Sequence, residues 1–303
     1  MKFGITIPHY YQFPSKKAIT EVAQKAEELG YDSIWVTDHI GIPKPYVARF
    51  GEVFYEPLMV LSYLTAVTGR VPLGTSVIIL PYRNPLFLAK ALATADQLSE
   101  GRILCGFAIG WCKEEFEALG VPFEKRASLS NEYLRILKEI WTNDDPQFQG
   151  KYFRFSNIKL LPRPVQKPYP PFWIGGKSEG AMQRAAEFAD VWHPVFLTPS
   201  EARPRVLQFR EIASKKGRDP EKIPVALRMH LQIHKKPEAH SGKYPLVGPL
   251  SQIIENIQKY REAGVDYLVL DLFYGIPELA SETLDSTLAT MEQVAREIRP
   301  RVS

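Results

Sequence analysis

Along the chain, short apolar runs closed by turn residues alternate with longer stretches in which apolar residues recur every three or four positions. Lys2 to Pro8 alternates Phe3, Ile5 and Ile7, the pattern of a first strand. From Ser15, an N-cap residue, Ile19, Val22, Ala23, Ala26 and Leu29 share one helical face, and Gly30 supplies the stop. Ser33 to Thr37 is a second strand ending at Asp38-His39. A loop rich in proline and aromatics, Ile40 to Glu56, leads to a helix over Pro57 to Thr68. Leu73 to Leu80 is the third strand, and Leu86 to Leu98 the helix after it. The run from Ile103 to Ile109, between Gly101 and Gly110, is apolar without alternation, as a strand buried on both faces requires. A helix over Leu129 to Trp141 follows.

Asn143 to Pro171 breaks the pattern and reads as an inserted hairpin with an extended crossing. The alternation then resumes. Strands over Phe172 to Ile174, Val191 to Phe196, Val225 to His234 and Tyr267 to Phe273 each precede a helix. Those helices cover Ser178 to Phe188, Pro199 to Lys216, Leu250 to Ala263 and Glu278 to Ile298. Eight strands alternating with eight helices demand a parallel sheet with helical crossovers. In 303 residues this fits a closed α/β (β/α)8 TIM barrel with insertions, one domain over residues 1–303.

Composition narrows the partners. The chain is 45% hydrophobic and 24% charged, enough apolar matter for a large core and unlike a disordered chain. Net charge is +4, with Lys and Arg spread rather than clustered, so no nucleic-acid partner is indicated. No apolar run approaches the ~20 residues that span a bilayer, so no membrane partner is expected. The N-terminus reaches Pro8 too soon for a signal peptide. Two cysteines, Cys105 and Cys112, have no metal spacing and fit a reducing compartment, so a cytoplasmic location is expected.

In such barrels chemistry sits at the carboxyl ends of the strands. There the sequence places His9, Asp38-His39, Leu80-Pro81-Tyr82, Gly110-Trp111, Gly176-Lys177-Ser178, Trp192-His193, His230 and Asp271. Taken singly, each histidine also reads as a structural one. His230 and His234 resemble a metal pair, but on a strand they stand ~13 Å apart, too far for one ion. No HExxH is present, and no metal is expected. Gly176-Lys177-Ser178 lacks the earlier glycine of a nucleotide-triphosphate loop, because Pro171 stands there. It reads either as an anion site, with free N–H groups, Lys177 and a hydroxyl, or as a plain strand-to-helix turn capped by Ser178.

The segments FGITIP, AEELGYDSIWVTDHI, LGTSVIILPYRNP, LSEGRILCGFAIGWCKEEFEALGVPFEKR, PPFWIGGKSEGAMQRAAEFADVW and AGVDYLVLD, in this order, carry a resemblance. The chain resembles the bacterial luciferase-like monooxygenase superfamily, and within it the oxidoreductases that use the deazaflavin coenzyme F420. The resemblance implies a metal-free luciferase-like barrel with a flavin or deazaflavin at its mouth. It places a non-prolyl cis peptide at Ser76-Val77 behind the ring, and Asp38-His39 near ring and substrate. It sets Gly110 and Trp111 along the cofactor, with Gly175, Gly176, Lys177 and Ser178 at its phosphate. It also suggests a homodimer through the helices Pro57–Thr68 and Leu86–Leu98.

One departure is plain. Sugar-phosphate dehydrogenases of the superfamily carry an acidic residue after the glycine of the fourth strand; here that position is Trp111. Glu114 and Glu115 lie nearby, and helix geometry turns at least one of them outward. The expected activity is hydride transfer between F420 and a small organic substrate. His39 is the expected catalytic group, because an imidazole titrates near neutrality. His9, Tyr82, Trp192, His193 and His230 are candidate substrate contacts, and Phe273 is a further part of the apolar rim. The alternatives are an FMN-dependent monooxygenase and a non-catalytic flavin-binding protein. The loops Ile40–Glu56 and Lys235–Pro249 are lid candidates.

Overall fold

The buried runs become the staves of a barrel. In the computed structural model, which describes residues 1–233, 242–273 and 282–302, the eight expected strands lie parallel. They are Lys2–Thr6, Ser33–Val36, Leu73–Thr75 continued by Ile78–Ile79, Ile103–Ala108, Phe172–Gly175, Val191–His193, Ala226–His230 and Tyr267–Asp271. Around the sheet the order runs seventh, eighth, first, then on to the sixth. Single parallel bridges, Trp192 to Val225 and Val195 to Arg228, close the gap between sixth and seventh.

Strand geometry sorts the side chains into two layers, because neighbours along a strand face opposite ways. Phe3, Ile5, Ile34, Ile174 and Leu268 face outward into the main core beneath the helices. Trp35, Trp173, Tyr267 and Val269 fill the barrel's interior. Trp35 needs glycine on both sides: a Cβ at Gly4 or Gly74 would overlap its indole. The helices seat their apolar faces as their spacing predicts. Lys16–Glu28 is capped by Ser15, Pro85–Leu98 by Asn84 and Glu179–Phe188 by Ser178.

Two differences from the sequence reading shape the mouth. The third strand is broken: the five residues from Gly74 to Ile78 lie opposite only four on its neighbour, from Leu104 to Phe107. That is a bulge of one residue. The Thr75 hydroxyl replaces the missing ladder, donating to Gly106 O at 2.7 Å and accepting from Gly106 N at 2.9 Å. The Ser76–Val77 peptide in this bulge is cis. The crossing from the fourth strand to the fifth carries the expected hairpin, Phe148–Gln149 against Arg154–Phe155. The loop after the second strand is not irregular throughout but holds short helical turns at Lys44–Tyr46 and Val47–Phe50. His234, residues 235–241 of one lid candidate and the expected start of the last helix lie outside the described residues; that helix is described from Leu284. Among the described residues no helix is long and apolar enough to cross a membrane.

Candidate functional site

A cavity of about 310 Å³ opens at the carboxyl ends of the strands, at the lower end of the usual range for small-molecule sites. Its walls are largely aromatic: Tyr46, Phe50 and Phe54 come from the loop after the second strand, and Trp111 and Phe196 face them. The polar groups lining it are Thr37, His39, the Tyr10 hydroxyl and the guanidinium groups of Arg49 and Arg228. Trp111, just past the fourth strand, stands 48% exposed, with Tyr46 edge-on to it at 5.0 Å.

Beneath the cavity lies a buried polar layer. Arg228, inward-facing on the seventh strand, donates Nε and Nη2 to the two oxygens of Asp271 at 2.8 and 3.0 Å. Its Nη1 donates to the carbonyl of Ser76 and, at 3.2 Å, to the Thr37 hydroxyl; its Nη2 reaches the Tyr10 hydroxyl at 3.2 Å. A buried cation is costly without a carboxylate partner, and Asp271 supplies one from the adjacent strand. The network thus ties the bulge at Ser76 to the first, second and eighth strands. The strand-end residues read from the sequence did not include Arg228; the signal for it was an arginine in the otherwise apolar run ALRM, one strand from the acid of YLVLD.

Three candidate histidines belong to this layer rather than to the cavity surface. His9 holds Ile7 O at 2.8 Å and Thr37 O at 2.9 Å. His193 pairs with the Ser76 hydroxyl at 2.8 Å and Ala226 O at 2.7 Å. His230 stacks on Phe196 with ring centroids 4.4 Å apart, and its Nδ1 lies 3.6 Å from Asp271. Burial pushes His9 and His193 down to about 4 and His230 to about 3, so all three are neutral at pH 7.

His39 differs. It lines the cavity and is 10% exposed, with Nδ1 2.7 Å from Glu115 Oε2. The short helix Lys113–Ala118 turns Glu115 inward and leaves Glu114 at the surface.

The remaining candidates divide by geometry. Asp38 is buried and does not reach the cavity. Its carboxylate pairs with Arg83 at 2.6 and 3.0 Å and accepts from Ile79 N at 2.9 Å, pinning the strand beyond the bulge. Tyr82 is no rim contact; its hydroxyl donates to Glu115 at 3.0 Å and its ring packs edge-on against Phe116. Trp192 is corrected outright. Since His193 points into the barrel, its neighbour must point out, and Trp192 lies buried on Phe209 beneath the helix Pro199–Lys215. Phe273 backs Tyr10 from behind.

Val77 and Ala108 lie together beside the bulge, partly exposed, and Gly110, partly exposed as well, sits against Ile79 and Phe116. A Cβ at Gly175 would reach to 3.3 Å of Val77 and 3.4 Å of Ala108, crowding both. Gly176, at φ +106°, turns the chain into the helix Glu179–Phe188. Ser178 caps that helix by accepting from Ala181 N at 3.2 Å, which leaves its hydroxyl proton to donate. Lys177 is exposed beside it. The start of that helix offers an anion its free N–H groups. Among the described residues no three His, Cys, Asp or Glu side chains gather as metal ligands.

A family model described as luciferase-like monooxygenase matches residues 1–244. The FMNH2-dependent dimethylsulfone monooxygenase of Pseudomonas putida is 34% identical over 176 residues, 57% of this chain and 47% of that protein. The F420-dependent glucose-6-phosphate dehydrogenase of Amycolatopsis mediterranei is 34% identical over 165 residues, 52% of this chain and 47% of that one. The chain thus spans about half the length of these curated relatives. Monooxygenase RslO1 from Streptomyces bottropensis matches in fold, with TM-score 0.82 over 100% of both chains at 21% identity.

Proposed function

Because this chain belongs to the luciferase-like monooxygenase family, we propose that its mouth binds coenzyme F420 and supports hydride transfer between that coenzyme and a small organic substrate. The observation that carries the reading is the contrast among the histidines. Three are buried and neutral beneath the cavity, whereas His39 faces an aromatic-walled cavity with one ring nitrogen engaged. When bound, the coenzyme supplies the two-electron chemistry at C5 of its ring.

The chain's own residues bind, orient and exclude water. Val77, Ala108 and Gly110 receive the flat face of the ring, and Gly175 keeps that face clear. Gly176, Lys177 and Ser178 hold the anionic tail with N–H groups, a cation and a hydroxyl. Phe50, Phe54 and Trp111 keep water from the reacting carbon. His39 Nε2 exchanges a proton with the substrate.

A second reading, an FMN-dependent monooxygenase, is favoured by the likeness to the dimethylsulfone enzyme, and the same residues receive either ring. Against a non-catalytic flavin carrier stands the mouth itself: Trp111 is at its wall, and Phe273 sits behind Tyr10 rather than across it. The test is parallel titration of the purified protein with F420 and with FMN. Tighter binding of F420 supports the proposal, tighter FMN binding with oxygenase activity transfers it to the second reading, and no binding of either ends it. We further propose a homodimer through the helices Pro57–Val67 and Pro85–Leu98, on which Met59 and Phe87 are 61% and 59% exposed. A monomer mass in light scattering would remove that assembly.

A further inference from the structure

With Trp111 after Gly110, the nearest inward carboxylate arrives later in the chain, on Glu115. Four donors converge on it. Oε2 lies 2.7 Å from His39 Nδ1 and accepts from the Tyr82 hydroxyl at 3.0 Å. Oε1 accepts from the backbone N–H of Ile40 at 2.6 Å and of Gly41 at 3.2 Å. The side chain is 2% exposed. Burial alone would push this carboxyl up, but His39 and the two N–H groups outweigh it and hold it below the usual range. At neutral pH it is therefore a carboxylate, an acceptor only.

A bond of 2.7 Å to an acceptor requires that Nδ1 carry the hydrogen. In the neutral ring the lone pair then sits on Nε2, to which no group bonds among the described residues. We propose that Glu115 is a positioning residue: it fixes His39 in the Nδ1–H tautomer with Nε2 as the proton acceptor for the cavity. By holding the N–H groups of Ile40 and Gly41 it also clamps the start of the loop that supplies Tyr46, Phe50 and Phe54. One carboxylate thus sets both the ring orientation and the adjoining wall. The catalytic consequence rests on the function proposed above: the proton released or taken up as hydride moves between substrate carbon and coenzyme passes through Nε2. The tautomer itself does not depend on that reading.

The test is histidine nitrogen-15 NMR on the full chain without coenzyme, with His39 assigned by His39→Gln. The wild type is expected to show a protonated Nδ1 and an unprotonated Nε2 at alkaline pH. Glu115→Ala is expected to give mixed tautomers, whereas Tyr82→Phe, which removes a donor to the carboxylate but not the carboxylate, leaves the tautomer unchanged. In the coenzyme-loaded enzyme Glu115→Ala is expected to lower the hydride-transfer rate about 100-fold. Glu115→Asp is expected to recover part of that loss. A wild-type Nε2–H tautomer, readable whether or not the Glu115 variants fold, overturns the inference, as does an unchanged tautomer in Glu115→Ala. The expected tautomer in a protein that binds no coenzyme keeps the positioning role and ends the functional reading instead.

Discussion

Mild acid is expected to destabilise this protein steeply, and the size of the effect follows from the layer beneath the cavity. His9 and His193 stay neutral down to about 4, and His230 to about 3, mainly through burial and partly through the charge of Arg228. In the unfolded chain each titrates near 6.5. These are groups with a depressed folded value. Above about pH 6.5 they cost nothing; below it the unfolded chain takes up protons that the folded chain refuses, and stability falls until the folded values are reached. Each histidine contributes a slope of about 1.4 kcal/mol per pH unit, so three give about 4. By pH 5 the loss reaches about 6 kcal/mol, a large part of the ~5–15 kcal/mol that holds a domain folded. Carboxylates held low, such as Glu27 and Glu115, add their losses only below about pH 4.5, outside this window. Urea denaturation at pH 7.5, 6 and 5 measures the slope, and His193→Gln is expected to reduce it by one proton. A stability that stays level between pH 6.5 and 5 would refute the neutral buried layer.

Other outcomes follow from single contacts. Gly106→Ala puts a Cβ into the carbonyl oxygen of Thr75 at the bulge and is expected to cost about 3 kcal/mol or more, read as a fall in Tm. Asp271→Ala strips the bidentate carboxylate from buried Arg228 and is expected to cost about 3–5 kcal/mol in urea unfolding, while Asp219→Ala, on the surface, changes little. Trp111, half exposed at the cavity wall, is expected to contribute quenching when F420 or FMN binds; quenching left unchanged by Trp111→Phe would place the ring elsewhere.

Much of the barrel is legible in the chain because its signals are local. Strand runs end at turn residues, helices begin at Ser15 and Ser178, and the alternation itself demands parallel crossovers. The site was less legible because inward and outward positions alternate within a strand, and a list of strand-end residues ignores that. Trp192 and His193 are neighbours in sequence and lie on opposite sides of the sheet. Asp38 and Tyr82 have the chemistry of contact residues, yet they are spent on Arg83 and Glu115. Arg228, and the partner of Glu115, were hidden for the converse reason. Arg228 and Glu115 each matter through a partner distant in sequence, 43 residues away at Asp271 and 76 at His39, and only the fold brings those partners together.

The most direct trial is a crystal structure of the protein soaked with F420. The ring is expected against Val77 and Ala108, with His39 Nε2 toward its open face and the anionic tail at Gly176 and Ser178. A ring bound away from the Ser76–Val77 bulge, or a tail with no contact to the turn at Gly176, would contradict the account.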